Sequence, residues 1–330
     1  MPNAKITALG CYTPPRVLTN PDLEQLIDTT DQWILDHTGI RERHLAAPDV
    51  ATSDLALAAA RCLLDQHGVA AADLDAILVC TVTPDHLFPS TAGLVQHGLG
   101  ATRAWGFDLL AGCAGFLYGL NVAAQLVATG SHQKVLVIGA DTMSRIVDYQ
   151  RSNCVLFGDG AGAMLVEPAG DPDRGFGLLD FVGEVDGSGA AFLKQPAGGS
   201  RRPASQETLD RRLHFVHQDG ARMLNYASAK LIGLSQLLLE RNHLTVGDLA
   251  LMIPNQSNQR MLQSVAAALG LPPERMMINI DRYGNTSGAS VALATGDAVA
   301  EGRLKPGDLV LFAAAGGGFA AGASLWRWAF

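Results

Sequence analysis

The sequence predicts a layered α/β protein, and three observations carry that prediction. Two helix–strand–loop–helix–strand units superpose at an offset of 175 residues, which carries Leu74 onto Leu249 and Val137 onto Phe312. Their strand segments are short, apolar and rich in β-branched residues, and amphipathic helix-length segments separate them, the pattern that packs helices against a mostly parallel sheet. At 104–129 a strand pattern turns abruptly into a helix pattern, with Cys113 at the junction.

The elements follow in chain order. A short strand pattern opens at Lys5-Ile6, with no basic-then-apolar leader before it. An amphipathic helix over 53–67 is followed by the turn Asp73-Leu74-Asp75 and a strand over 76–80. The strand at 104–110 gives way through Gly112-Cys113-Ala114-Gly115 to a helix over 116–129, and a strand spans 134–139. The run Gly158-Asp159-Gly160-Ala161-Gly162 lacks the register and lysine of a phosphate loop and reads as a tight strand-to-strand turn. Residues 171–217 are rich in loop signals and read as a surface or substrate-covering excursion anchored by Phe192, Leu193 and Phe215. The second unit has a helix over 228–242, the turn Gly247-Asp248-Leu249 and a strand over 250–253. A turn at Lys305-Pro306-Gly307-Asp308 leads into a buried strand and loop over 309–325. The chain divides into halves at 1–172 and 173–330. The offset maps Cys113 onto Gly288, in Tyr283-Gly284-Asn285-Thr286-Ser287-Gly288, so the two loops are expected to face one central cleft.

With 330 residues, 48% hydrophobic and 17% charged, the chain can bury a large core. A net charge of −8 argues against nucleic acid as a partner, and no stretch has the length and hydrophobicity of a membrane span. Cys11, Cys62, Cys80, Cys113 and Cys154 are odd in number, scattered and without ligand spacing, which predicts no disulfide framework, no metal and a reducing cytoplasm. A cysteine at a helix N-terminus meets unpaired N–H groups and the positive end of the helix dipole, so Cys113 is expected to have a lowered pKa and to serve as a nucleophile. Taken alone, it is better read as a buried core cysteine.

Several motifs together resemble the thiolase superfamily and, within it, β-ketoacyl-acyl carrier protein synthase III and its acyl-CoA-using relatives in specialised metabolism. They are Thr38-Gly39-Ile40-Arg41-Glu42-Arg43, Phe88-Pro89-Ser90, the Cys113 turn, Phe157-Gly158-Asp159-Gly160, Ile253-Pro254-Asn255-Gln256-Ser257-Asn258-Gln259-Arg260, Tyr283-Gly284-Asn285-Thr286-Ser287 and Gly316-Gly317-Gly318-Phe319. The resemblance implies a five-layered α/β/α/β/α fold with a pseudo-twofold repeat, a homodimer, and an acyltransferase of fatty acid or polyketide biosynthesis. In that reaction Cys113 accepts an acyl group from coenzyme A, and a malonyl thioester on acyl carrier protein or coenzyme A then decarboxylates and attacks it. No resident cofactor is implied, the coenzyme A thioester being a substrate. The resemblance further assigns Cys113 and Gly318 N–H groups to an oxyanion hole and Asn285 to the malonyl thioester oxygen. It assigns Trp33, Arg151, Arg260 and Asn258 to coenzyme A, and Phe88 to the partner's acyl pocket. On the residues alone, Asn285 also suits a turn, Trp33 and the arginines suit a solvated surface, and Phe88 suits a core.

Three departures stand out. Asn255 occupies the position where the family carries histidine. Asparagine can donate a hydrogen bond but cannot take up a proton near neutral pH. Loading of Cys113 is expected to survive this change and decarboxylation to suffer. The chain therefore reads as a stalled His-to-Asn variant of a synthase, as an acyltransferase forming an ester or amide without decarboxylation, or as a non-catalytic partner of a condensing enzyme. His37 replaces an arginine beside the adenine position, and Arg222-Met223 replaces a common Phe-Lys, weakening the case for delivery by a carrier protein.

Overall fold

The architecture comes from a computed structural model that describes residues 3–170 and 175–330. The expected boundary between 172 and 173 lies outside the described residues. In the first half, β1 (Asn3–Tyr12), α1 (Asp31–Thr38), α2 (Thr52–His67), β2 (Ala76–Cys80), α3 (Thr91–Leu99), β3 (Trp105–Leu109), α4 (Gly115–Ala128), β4 (Val135–Thr142) and β5 (Asp159–Ala169) follow in order. The second half contributes β6 (Gly177–Val185), α5 (Gly220–Arg241), β7 (Leu251–Pro254), α6 (Gln259–Leu269), α7 (Ser290–Ala300), β8 (Leu309–Gly316) and β9 (Ala320–Arg327).

Two sheets share one pattern. The first has the order β1-β5-β4-β2-β3 and the second the order β6-β9-β8-β7. In each, a parallel pair (β2 with β4, β7 with β8) is followed on one side by two antiparallel steps, and in the first sheet β3 adds a further parallel strand beside β2. Alternation along the strands builds the layers. Ala76, Leu78 and Cys80 of β2, Val135 and Val137 of β4, Leu251 and Ile253 of β7, and Val310, Phe312 and Ala314 of β8 all join one central core with α4 and α7. Ile77, Val79, Leu136 and Ile138 face the opposite way, onto α2 and α3. Met252, Leu309, Leu311 and Ala313 face α5 and α6. The result is five layers, α/β/α/β/α. Each buried aliphatic side chain contributes roughly 1.5–3 kcal/mol, so a one-residue slip of any inner strand would turn its apolar set to the wrong layer.

The repeat extends to the central turns. A 3₁₀ turn, Gly112–Ala114, precedes α4, and another, Ser287–Ala289, precedes α7, so Cys113 and Gly288 are structural mates as the offset requires. The halves meet closely here: a Cβ on Gly139 of β4 would overlap the Gly288 carbonyl oxygen, and one on Gly162 of β5 would overlap Ala292 of α7. In the second half the counterpart of β3 is reduced to a parallel bridge between Met252 and Met276.

Four expectations are corrected. The glycines at 158–162 open β5 in place of a turn, and they serve close helix–sheet packing. The 171–217 excursion contains a true strand, β6, paired antiparallel with β9 along the sheet edge. Two of its anchors reach outside it: Phe192 lies 5.5 Å from the Phe319 ring with the Arg222 guanidinium 4.4 Å above it, and Leu193 packs beside Gly317, whereas the contact given for Phe215 is with Arg212 of the same excursion. Helix α5 begins at Gly220, eight residues before the expected start, because Asp219 caps the Arg222 N–H and Met223 extends the apolar stripe. The strand-and-loop expected at 309–325 is a hairpin of two buried strands, β8 and β9, joined at Gly317–Phe319.

Candidate active site

Cys113 lies in the turn between β3 and α4, 8% exposed, where two cavities meet. One, of about 110 Å³, is lined by Asn255, Asn285, Asn258, Met223 and Phe157. The other, of about 390 Å³, is lined chiefly by Val82, Leu110, Met143, Ile146 and Val216, with Gly317 and Gly318 at its wall. Cys113 is thus shared by two chambers, both mainly apolar in lining, and the first gathers three asparagines beside it.

The expected low pKa of Cys113 is not found. Burial pushes the thiol up from 9.0 to about 11; the Ser287 hydroxyl 3.9 Å from Sγ opposes this, the Asp141 carboxylate adds to it, and the Cys113 N–H opposes it. A rise of that size corresponds to roughly 3 kcal/mol, more than the ~1 kcal/mol a helix N-terminus usually returns. Desolvation outweighs the helix end.

Asn285 and Asn255 are fixed by their surroundings in different ways. The Asn285 N–H donates to the Leu156 carbonyl at 2.8 Å and its carbonyl accepts from Gly158 N at 3.2 Å, tying the loop to the first half of the chain. Its Oδ1 accepts from Ser287 N at 2.9 Å, which leaves the Nδ2 group as the donor not consumed by that bond. The turn before Phe157 is itself stitched by fully buried Arg43, which donates to Leu18 O, Asn20 Oδ1 and Val155 O. Asn255 follows β7 directly, and its N–H donates to Ala313 O at 2.8 Å. The neighbouring Gln256 donates to Pro254 O and Met277 O and accepts from Asn279 N, holding the loop rigid. Yet the Asn255 side chain, 2% exposed, has no protein partner at either Oδ1 or Nδ2. A buried amide with neither end bonded to protein therefore lies in the wall of the chamber that Cys113 shares. At the β8–β9 turn, Gly316 packs directly on Cys113 and Gly317 on Gly112, while Gly318 lines the apolar cavity at φ +71°.

Two structural relationships lie outside what the motifs indicate. Asp141, next to last in the mostly apolar β4, is fully buried beneath the Ser287 turn, and a lone carboxylate near the end of a buried strand was the available signal. Tyr226 stacks on Phe319 at 4.0 Å and donates its hydroxyl to the Phe319 carbonyl, holding the β8–β9 turn.

The comparisons with known proteins decide the family. Residues 107–187 match the family profile described as "3-Oxoacyl-[acyl-carrier-protein (ACP)] synthase III", and residues 239–328 match its C-terminal profile. The chain is 64% identical over 331 residues to the β-ketoacyl-acyl carrier protein synthase III of Solibacter usitatus, covering 100% of both chains. The chain belongs to the β-ketoacyl-acyl carrier protein synthase III family. The solved synthase III of Aquifex aeolicus superposes with a TM-score of 0.90 at 37% identity, over 98% of this chain and 100% of that one. The enzyme of Thermus thermophilus gives 0.90 at 41%, over 98% and 99%. The protein is accordingly an acyltransferase with the thiolase-like fold.

Within that family framework, the residues assigned to coenzyme A fall into two kinds. Trp33 on α1 is exposed and stacks on His37 at 4.3 Å, and Arg260 is exposed at the start of α6. Arg151 is half-exposed and pairs with Asp148 at 3.2 Å. Asn258 has both side-chain ends engaged in the fold: Oδ1 caps α6 by accepting from Met261 N at 3.0 Å, and Nδ2 donates to His37 O at 2.7 Å, tethering α1 to α6. Asn258 therefore fixes α1 against α6 by its own hydrogen bonds. Phe88 is 85% exposed, as is Leu87 beside it at 84%, so Phe88 is no core residue of its own chain. Among the described residues no cluster of three or more His, Cys, Asp or Glu side chains could hold a metal, and no helix is long and apolar enough to cross a membrane.

Proposed function

We propose that Cys113 accepts an acyl group from acyl-coenzyme A and passes it to a malonyl thioester, on acyl carrier protein or coenzyme A, with loss of carbon dioxide, and that Asn255 slows this second step. The observation that carries the reading is the chamber in which Cys113, Asn285 and the unpartnered amide of Asn255 converge. In loading, the sulfur bonds to the acyl carbonyl carbon and the coenzyme A sulfur leaves. The oxygen of the tetrahedral intermediate would be held by the N–H groups of Cys113 and Gly318. In condensation, decarboxylation leaves an enolate whose oxygen takes a hydrogen bond from Asn285 Nδ2, oriented by the bond from Ser287 N to Oδ1. The enolate carbon then attacks the acyl group and Cys113 leaves as thiolate. Asn255 Nδ2 offers a second donor that carries no positive charge, so it stabilises the enolate less than a histidine would.

The apolar chamber of about 390 Å³ suits the acyl chain. Trp33, Arg151 and Arg260 suit the coenzyme. Leu110 lines this chamber and, with Leu87, a neighbouring cleft; together with the exposed Phe88 and with β3 at the sheet edge they favour a homodimer whose interface includes this face. Five unpaired cysteines fit a reducing, cytoplasmic setting.

A second reading is favoured by Asn255 Oδ1, a free acceptor at the position of a family donor: it could hold the O–H or N–H of an alcohol or amine that takes the acyl group without decarboxylation. Intact mass after incubation with acetyl-coenzyme A tests the first step, with Cys113→Ala as control. A 42 Da adduct on the native protein alone is expected. No adduct would move the non-catalytic partner reading to first place. Carbon dioxide release on addition of malonyl-coenzyme A, against ester or amide formation with an alcohol or amine, separates the two enzyme readings.

A further inference from the structure

We propose that Tyr226 is a positioning residue for acyl transfer, which through Phe319 sets the Gly318 N–H at the place where the acyl oxygen gathers charge. This deepens the function proposed above and rests on Cys113 as acyl acceptor and Gly318 as one of its two backbone donors.

The turn that carries Gly318 is intrinsically loose. Gly316, Gly317 and Gly318 follow one another between β8 and β9, with no side chain by which packing could fix them. Side chains are excluded there by the approach to the Cys113 turn: a Cβ on Gly316 would stand 2.9 Å from Cys113 N and 3.2 Å from Cys113 Sγ, and one on Gly112 would stand 3.2 Å from Gly317 N. Gly318 itself lines the 390 Å³ chamber beside Cys113. An oxyanion donor acts only when it lies about 2.7–3.1 Å from the developing charge, so a turn free to drift forfeits it. The restraint has to come from the residue that follows the glycines.

Phe319 is gripped at its backbone and at its ring. Its carbonyl accepts from the Tyr226 hydroxyl and from Asp186 N at 3.1 Å. Its ring lies flat against that of Tyr226, with centroids 4.0 Å apart and planes 8° apart, and Phe192 stands 5.5 Å away. Gly189 is so close that a Cβ there would overlap the Phe319 ring. The conformation held in this way is one the chain does not favour unaided. Gly318 sits at φ +71° and Phe319 at φ +51°, two consecutive left-handed residues, the second unfavourable for a residue with a side chain. Rotation about these backbone bonds is what would turn the Gly318 N–H away, and the two-point hold on Phe319 opposes it.

Tyr226 differs from the other groups of this grip in what it is attached to. Asp186, Gly189 and Phe192 belong to the 3₁₀ turn after β6 and its flanks. Tyr226 stands on α5, a helix of 22 residues whose Ala227, Leu231 and Leu234 pack with Leu311, Ala313 and Leu325 of β8 and β9. It therefore ties the glycine turn to a long, well-packed element. Burial raises the pKa of the phenol, so the hydroxyl keeps its proton and remains a donor. In the transfer, Cys113 gives its proton to solvent, the sulfur adds to the acyl carbon, and the carbonyl electron pair moves onto oxygen. The pair returns as the carbon–sulfur bond to coenzyme A breaks, and the coenzyme leaves as thiolate and takes a proton from solvent. Between the two steps the negative charge rests on the oxygen held by the Cys113 and Gly318 N–H groups.

The test compares native protein with Tyr226→Phe, which keeps the stacked ring and loses the hydroxyl, and with Tyr226→Leu, which loses both. Three reactions of Cys113 are timed. Acetylation by acetyl-coenzyme A is followed by intact mass. Acetylation by p-nitrophenyl acetate, which uses the oxyanion donors without the coenzyme site, is followed by p-nitrophenolate release against a Cys113→Ala control. Alkylation by iodoacetamide, a displacement at saturated carbon that builds no oxyanion, is followed by peptide mass. Expected for Tyr226→Phe is acetylation about tenfold slower with either acyl donor. The loss should fall on the maximal loading rate, with the half-saturating acetyl-coenzyme A concentration within about twofold of native, and alkylation should keep its native rate. Expected for Tyr226→Leu is acetylation about 100-fold slower, with alkylation again native; where circular dichroism shows this variant unfolded, Tyr226→Phe decides alone. Unchanged acetylation in Tyr226→Phe, or alkylation that falls in step with acetylation, would mean that the tyrosine only supports the fold and would overturn the proposal. A native protein acetylated by p-nitrophenyl acetate and not by acetyl-coenzyme A would sink the preceding function, and the variants' rates with p-nitrophenyl acetate would still decide the role of Tyr226. A Cys113 that neither reagent acetylates would overturn both.

Discussion

Asn255 is the residue on which stability and function should separate. Its amide is buried with neither polar atom bonded to protein, and each such group costs about 1 kcal/mol or more relative to a satisfied or apolar one. Asn255→Leu replaces both with methyl groups in nearly the same outline, and the rigid Gln256 clamp and the bond from Asn255 N to Ala313 O do not depend on the side chain. The expected gain is about 2 kcal/mol, and for a 330-residue chain with roughly 2 cal/mol/K of unfolding entropy per residue this is a rise of about 3 °C in Tm. The same variant loses the donor and acceptor of the shared chamber, so carbon dioxide release from malonyl-coenzyme A should fall to background while the acetyl adduct on Cys113 persists. Calorimetry and intact mass on the same preparations give both numbers. An unchanged or lower Tm would show that water in the 110 Å³ chamber already satisfies the amide, and the argument that this group waits for a ligand would fail.

Other outcomes follow from the packing and the ionisations. Gly139→Ala, whose new methyl would meet the Gly288 carbonyl, should lower the urea unfolding free energy by about 3 kcal/mol, whereas Gly233→Ala, on an open face of α5, should raise it by up to about 1 kcal/mol; equal effects would refute the close approach of the two halves. Phe88→Asp should convert a dimer to a 34.7 kDa species in sedimentation at micromolar concentration, and a native protein that already sediments as monomer would remove the proposed interface. Burial raises the thiols of Cys113 and Cys154 to about 11 and that of Cys11 to about 12, against the 9.0 of an unperturbed cysteine. A group with a raised folded pKa stabilises fully below its unfolded pKa and loses that contribution as pH climbs through the folded one, so the urea midpoint should fall between pH 9 and 12; a flat midpoint over that window would contradict the burial.

Much of this was legible in the chain because it is local. Short unbroken apolar runs in 76–80, 134–139 and 250–253 announce buried strands, and the 175-residue offset locates Gly288 opposite Cys113 without any contact being known. Strand β6 was not legible. It is a half-exposed edge interrupted by Asp180, whose apolar pattern blurs into the surrounding glycine-rich loops. The first turns of α5 were hidden likewise, because their apolar residues meet the core only at Met223 and Ala227. At the site, residue types and order pointed to Cys113, Asn255 and Asn285, yet the ionisation of Cys113 was misjudged, since helix-end donors are visible in sequence and desolvation is a property of the assembled interior. The bond from Gly288 N to the Asp141 carboxylate joins residues from opposite halves of the repeat and could not be read from either alone. Asn258 carried a motif position and proved to spend its amide on the fold.

The central claim is that this chain can load Cys113 but is slowed at condensation by the residue at 255. Asn255→His tests it most directly, with acyl-enzyme formation followed by intact mass and condensation followed by carbon dioxide released from malonyl-coenzyme A. The account predicts a condensation rate higher by something like 10²- to 10⁴-fold, the range for restoring a positioned acid–base or oxyanion donor, with Cys113 loading changed far less. A histidine variant that loads as before and releases no additional carbon dioxide would contradict it and leave acyl transfer to an alcohol or amine as the better reading.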